Sequence, residues 1–137
     1  EKQNTGSIQL TFFDIFSDKT KQFGFKAVFP SGKVLACLGD EPFNEKCRNF
    51  VQNCDYLMCE AFCLYSQKDI FKPYEKFHST ALDAGKLAES LFAKNLILYH
   101  TEDETLQTRK RTYTSEARTV FNGNIFVPDD FEVIDLK

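Results

Sequence analysis

The sequence predicts an α/β fold, a mixed sheet with flanking helices in one compact unit, and three observations carry that expectation. Short apolar segments that alternate every two residues are interleaved with segments of three- and four-residue period, giving the order βββαβαβαββ. A chain of 137 residues with 42% apolar content, including fifteen Phe, can fill one core. No internal repeat, low-complexity tract or linker divides it, so residues 1–137 read as a single unit.

Ile8 to Phe16 mixes alternation with aromatic residues, Phe23 to Pro30 alternates again, and Lys33 to Leu38 is a short apolar run. These predict three strands, with Ser31-Gly32 as a hairpin turn between the second and third. Phe43, Cys47, Phe50, Val51 and Cys54 recur at helical spacing and predict a helix from Asn44 to Asn53, followed by a strand from Tyr56 to Cys59. An irregular stretch then runs through Pro73. Thr80 and Asp83 read as a capping box, and Ala81, Ala84, Leu87, Ala88, Leu91 and Phe92 carry that helix to Lys94. Asn95 to Tyr99 is too short and too apolar to be anything but a buried strand. A long charged helix is expected from Glu102 to Phe121, stopped by Asn122-Gly123, and short strands at Asn124 to Val127 and Phe131 to Leu136 close the chain.

The formal charge of −3 gives no global field for nucleic acid or an anionic membrane. No apolar run approaches the ~18 residues a membrane span needs. The five cysteines form an odd set with no CxxC pair and no secretory segment ahead of them, which predicts reduced, mostly buried thiols in a cytoplasmic protein. The chain opens at Glu1, in the polar stretch Glu1 to Ser7, and so reads as the continuation of a longer protein, cut or incomplete at an exposed loop.

In α/β sheets ligands gather at the carboxyl ends of strands. Asp40 follows the third predicted strand, Glu60 the fourth and His100 the fifth, while His78 stands just before the helix at Thr80. Four ionisable groups, with both histidines of the chain, are thus expected along one sheet edge. Taken singly, each is as easily a turn residue, a helix cap or a structural histidine.

Gly39-Asp40, Cys59-Glu60-Ala61-Phe62, His78-Ser79-Thr80 with its Ala-rich helix, and the run Leu96 to His100 resemble the later motifs of the metallo-β-lactamase superfamily. Their order and spacing are similar to those of its ribonuclease Z branch. The resemblance covers residues 8 to 136 and implies the carboxy-terminal half of that αβ/βα sandwich. It implies that Asp40 bridges two divalent metal ions, zinc above all, and that His100 ligates one of them. It also implies that Glu60 and His78 form a pair near the scissile phosphate. Independently, free backbone N–H groups at the helix start behind His78 make Ser79 and Thr80 the expected place for a substrate anion.

Cys59 and Phe62 depart from the first motif of that pair, and Thr101-Glu102-Asp103 replace an aromatic and basic continuation after His100. The His-x-His-x-Asp-His motif and a further ligand histidine are absent. Asp40 and His100 alone fall short of the three protein ligands of a catalytic zinc site. The expectation is therefore a metal-dependent hydrolase of phosphodiesters when complete, its partner an amino-terminal half or another copy of the chain in a homo-oligomer, its substrate a phosphodiester or nucleic acid. A metallo-hydrolase of another ester, thioester or amide, or a non-catalytic assembly half-domain, are the alternatives. Arg109-Lys110-Arg111 and Arg118 share their helix with Glu102, Asp103, Glu104 and Glu116 and read as a solvated face.

Overall fold

In the computed structural model, which describes residues 6–136, the chain forms a six-stranded mixed sheet with strands in sequence order. β1 (Gln9–Asp14), β2 (Phe23–Val28) and β3 (Val34–Cys37) form an antiparallel meander, and β4 (Tyr56–Glu60), β5 (Asn95–Tyr99) and β6 (Asn124–Phe126) add in parallel. Gly32, with φ +83°, makes the expected turn between β2 and β3. The reading of Glu1 to Thr5 as a cut loop lies outside the described residues.

Each parallel step moves the chain one position in the same direction, and connections of one hand then place all their helices on one face. That face holds the core. Ala36, Leu57, Cys59, Leu96 and Leu98 of the strands pack against Val51 of α1 (Arg48–Val51), Ala81, Ala84 and Ala88 of α3 (Ala81–Ser90), and Tyr113 and Ala117 of α4 (Arg109–Arg118). The other face follows from the register. Phe12, Phe25, Cys37, Met58, Ile97 and Phe126 are successive partners across all six strands, so by the pleat they form one row. Leu10 and Phe12 at its β1 end are exposed, whereas residues 132–135 line a cavity with Tyr56, Asn95, Asn124 and Phe126 at its far end.

Several expected elements are corrected. The helix over Asn44 to Asn53 is a 3-10 turn, Glu45–Cys47, capped by the Asn44 side chain and followed by the single turn α1. The stretch before Pro73 contains α2 (Lys68–Phe71) between 3-10 turns at Tyr65–Gln67 and Tyr74–Lys76. α3 has its capping box but ends at Ser90, because Phe92 turns to φ +55°. The long helix from Glu102 shrinks to Arg109–Arg118. Glu102 is buried and accepts from the Glu104 and Thr105 N–H groups and the Thr105 hydroxyl, a local competition that favours turns over helix. The closing strand at Phe131 to Leu136 is absent: that segment is tied to α4 instead, by Arg109 to Asp129 (2.9 Å) and by Lys110 to Asp129 (2.9 Å) and Glu132. The basic cluster thus holds the chain's own acidic tail.

All five cysteines are free thiols, and Cys47, Cys54, Cys59 and Cys63 are buried. Among the described residues, no helix is long and apolar enough to cross a membrane.

Candidate metal and acid–base site

The carboxyl ends of β3, β4 and β5 bring Asp40, Glu60 and His100 to one edge, as expected, and the loop before α3 delivers His78 to the same place. Glu60 is the last residue of β4 and only 2% exposed. One carboxylate oxygen lies 2.5 Å from His78 Nδ1, and the other accepts from the Ser79 N–H at 2.8 Å. The His78 ring stacks on Phe62 with centroids 4.9 Å apart, and its centroid is 5.0 Å from that of His100. Phe77, at φ +61°, turns the backbone that presents His78, and His100 itself sits at φ +54°. Left-handed backbone at non-glycine residues costs energy and persists where the surroundings dictate it.

Burial pushes the Glu60 carboxyl up to about 8, and the nearby charges of Asp40 and Glu41 add to the effect, while Ser79 opposes it. Burial also pushes His78 down, with help from His100 and Lys19, against the pull of the Asp40 backbone carbonyl as an acceptor and of the Asp40 charge. Both groups are therefore driven towards their neutral forms. Together they keep one proton at neutral pH, shared across the 2.5 Å contact.

Asp40 is half-buried and close enough to act electrostatically on both members of the pair, and His100 is exposed. Glu60, His78 and His100 each offer a ligand atom within 4.8 Å of the others. Their engagements separate them. Glu60 and His78 are spent on each other, on Ser79 and on the Asp40 backbone, while His100 makes only its ring contact with His78 among the described residues. An imidazole and a carboxylate suit zinc, so His100 and Asp40 fit part of a metal-ligand set, short of a complete one.

The expected anion site at the start of α3 is corrected. Every N–H there has an acceptor: Ser79 on Glu60, Thr80 on Asp83, Ala81 on the Cys63 carbonyl and Leu82 on Glu116. Thr80 is fully buried and its hydroxyl donates to Asp83 at 2.7 Å, which leaves it nothing to offer a substrate. Ser79 does line a cavity with Glu60, His78, Pro42, Phe43 and Tyr74. Sequence reasoning missed Phe62, Lys19 and the Asp40 backbone as neighbours of His78. No periodicity or motif marks such contacts, which arise from loops meeting in space.

No family model matches the sequence. The chain is 32% identical over 98 residues to a ribonuclease Z of Bacillus cereus, a match that covers 72% of this chain and 31% of that protein. Its fold overlays human short-form tRNase Z with a TM-score of 0.69 and 25% identity, over 95% of this chain and 42% of that one. A metallo-β-lactamase fold protein of Bacillus subtilis overlays with a TM-score of 0.71 at 20% identity, over 92% of this chain and 49% of that one. The chain thus spans about a third of the length of the curated relatives it matches and under half of these solved ones.

A one-sided mixed sheet with an acid–imidazole edge, overlaying such structures, is a metallo-β-lactamase fold. The sequence and fold similarities together support the metallo-β-lactamase superfamily and, within it, a likeness to the ribonuclease Z-like branch.

Proposed function

We propose that this chain is the carboxy-terminal half of a metal-dependent phosphodiesterase domain whose amino-terminal half supplies the remaining metal ligands. Asp40 and His100 would contribute ligands to a centre of divalent ions, zinc above all. Glu60 and His78 are the acid–base pair. What carries this reading is the hydrogen bond of 2.5 Å between buried Glu60 and His78, directly beside an exposed His100. A hydrolase of thioesters or lactams has no need of that pair.

When bound, such ions lower the pKa of a water to yield hydroxide. This chain's own residues do the rest. Glu60 fixes the His78 ring through Nδ1, and Phe62 holds it from one face. His78 then delivers the pair's proton to the leaving oxygen of the diester, a role typically worth ~10²–10⁴ in rate.

In the full-length protein, His78→Ala is expected to lose roughly 10²-fold or more in kcat on a simple phosphodiester while keeping its metal content. Glu60→Gln loses less, since the amide keeps the shape of the carboxyl and can still orient the ring. A His78→Ala enzyme with undiminished turnover, or one that loses metal together with activity, sinks the acid–base assignment.

A further inference from the structure

Tyr99 ends β5 with its side chain two residues beyond Ile97 on the same face of the sheet, and its hydroxyl reaches away from its own strand. It donates to the Gly39 carbonyl and lies 3.5 Å from Cys37 Sγ. Cys37 ends β3 and Gly39 lies in the turn just after it, and β4 stands between β3 and β5. The contact therefore bridges two strand spacings, about 10 Å, across the end of the sheet.

On each side of this bridge the next residue is a site residue. Asp40 follows Gly39, and His100 follows Tyr99. Both turns depart from strand geometry at that point, with Gly39 at φ +78° and His100 at φ +54°. A turn that leaves the ladder is no longer held by strand pairing, so something else must fix one turn against the other. Among the described residues, the Tyr99 hydroxyl on the Gly39 carbonyl is a direct polar bond between the two turns. No hydrogen bond is seen among the described residues for the Asp40 side chain or the His100 ring.

We propose that Tyr99 is a positioning residue that sets the separation of Asp40 and His100, and through it the affinity of the site for a divalent ion. The inference rests on the reading of those two residues as metal ligands. Tyr99 touches neither metal nor substrate; it acts through the Gly39–Asp40 turn. Groups behind metal ligands commonly tune affinity by 10–100-fold, because they hold the ligands where the ion needs them.

The test uses the full-length protein with the Tyr99→Phe substitution, which keeps the ring and removes only the hydroxyl. Zinc affinity is measured by competition with a chromophoric chelator, and the coordination geometry from the visible spectrum of the cobalt(II)-loaded protein. The expected result is a loss of roughly 10-fold or more in zinc affinity with an altered cobalt spectrum, at temperatures where the metal-free variant is fully folded. A purely structural tyrosine would lower the melting temperature and leave both readouts in place, and that outcome overturns the proposal. Asp40→Ala and His100→Ala separate the two levels. If they lose metal while Tyr99→Phe binds it as the wild type does, only the positioning role falls. If they keep their metal, the ligand reading falls and the positioning role with it.

Discussion

Asp55, just before β4, is 8% exposed and accepts the Val34 N–H and the Lys94 ammonium, each at 2.8 Å. One carboxylate thus clamps the starts of β3, β4 and β5. The hydrogen bond from Lys94 holds its pKa below the ordinary value, with the Val34 N–H adding to it against burial. A carboxyl whose folded pKa is depressed stabilises the fold fully above its unfolded pKa, near 3.9, and loses that contribution as pH falls through the lower folded value. Asp55→Ala is therefore expected to cost about 1–3 kcal/mol at neutral pH, chiefly by stranding the Val34 N–H. The gap from wild type should narrow as pH falls below about 4, by the part that depends on the carboxylate charge, as a urea titration across that range would reveal. A pH-independent gap would show that packing rather than charge is lost. Nothing in the local pattern at Asp55 announces this clamp, because its partners lie 21 and 39 residues away. The placement of Asp40, Glu60 and His100 at one sheet edge was legible by contrast, since each sits where a strand's apolar run stops.

At the scale of elements, the sequence was readable wherever one residue type dictates one geometry. The β5 run had no polar residue between Asn95 and Tyr99 to offer solvent, and the Thr80–Asp83 pair could satisfy two helix-end donors at once. It misled where tertiary contacts overrule periodicity. Tyr113 and Ala117 do point inward from α4, but the helical spacing extrapolated back to Glu102 ignored that Glu102 is held as a buried acceptor, also near Tyr113 Oη at 3.3 Å. The α3–α4 contact gives a second test. A Cβ on Gly85 would come within 2.9 Å of both the Ala117 carbonyl and Val120 Cγ2. Alanine gains about 1 kcal/mol of helix propensity over glycine, whereas overpacking costs ~1–3 kcal/mol. The carbonyl is backbone and cannot step aside without moving α4, so Gly85→Ala should lower stability despite its better propensity. A variant that melts above the wild type would mean that the two helices separate freely.

The whole molecule is one layer of helices on one layer of sheet, and that leaves a face to account for. Leu10, Phe12 and Phe23 are each more than half exposed on the antiparallel side, while the opposite end of the sheet is lined by the chain's own tail. Covering what remains exposed of such side chains contributes on the order of 1 kcal/mol apiece. Two copies meeting through these residues would gain about twice the sum, against an association cost of ~4–15 kcal/mol, so self-association through this face alone is weak. A segment of the same polypeptide bears no comparable translational cost. In the proposed reading the occupant is an amino-terminal half of the same polypeptide, and the relatives' greater length agrees with that. The prediction is a contrast between two contexts. In the full-length protein, Leu10→Lys together with Phe12→Lys should cost several kcal/mol, because each buries a charge and forfeits its apolar contacts. In residues 6–136 produced alone, the same pair should leave stability within about 1 kcal/mol and improve solubility, since both positions face water there. Thermal melts of the four proteins decide it. Equal, small effects in both contexts would mean that the face stays open in the complete protein and that its second layer lies elsewhere.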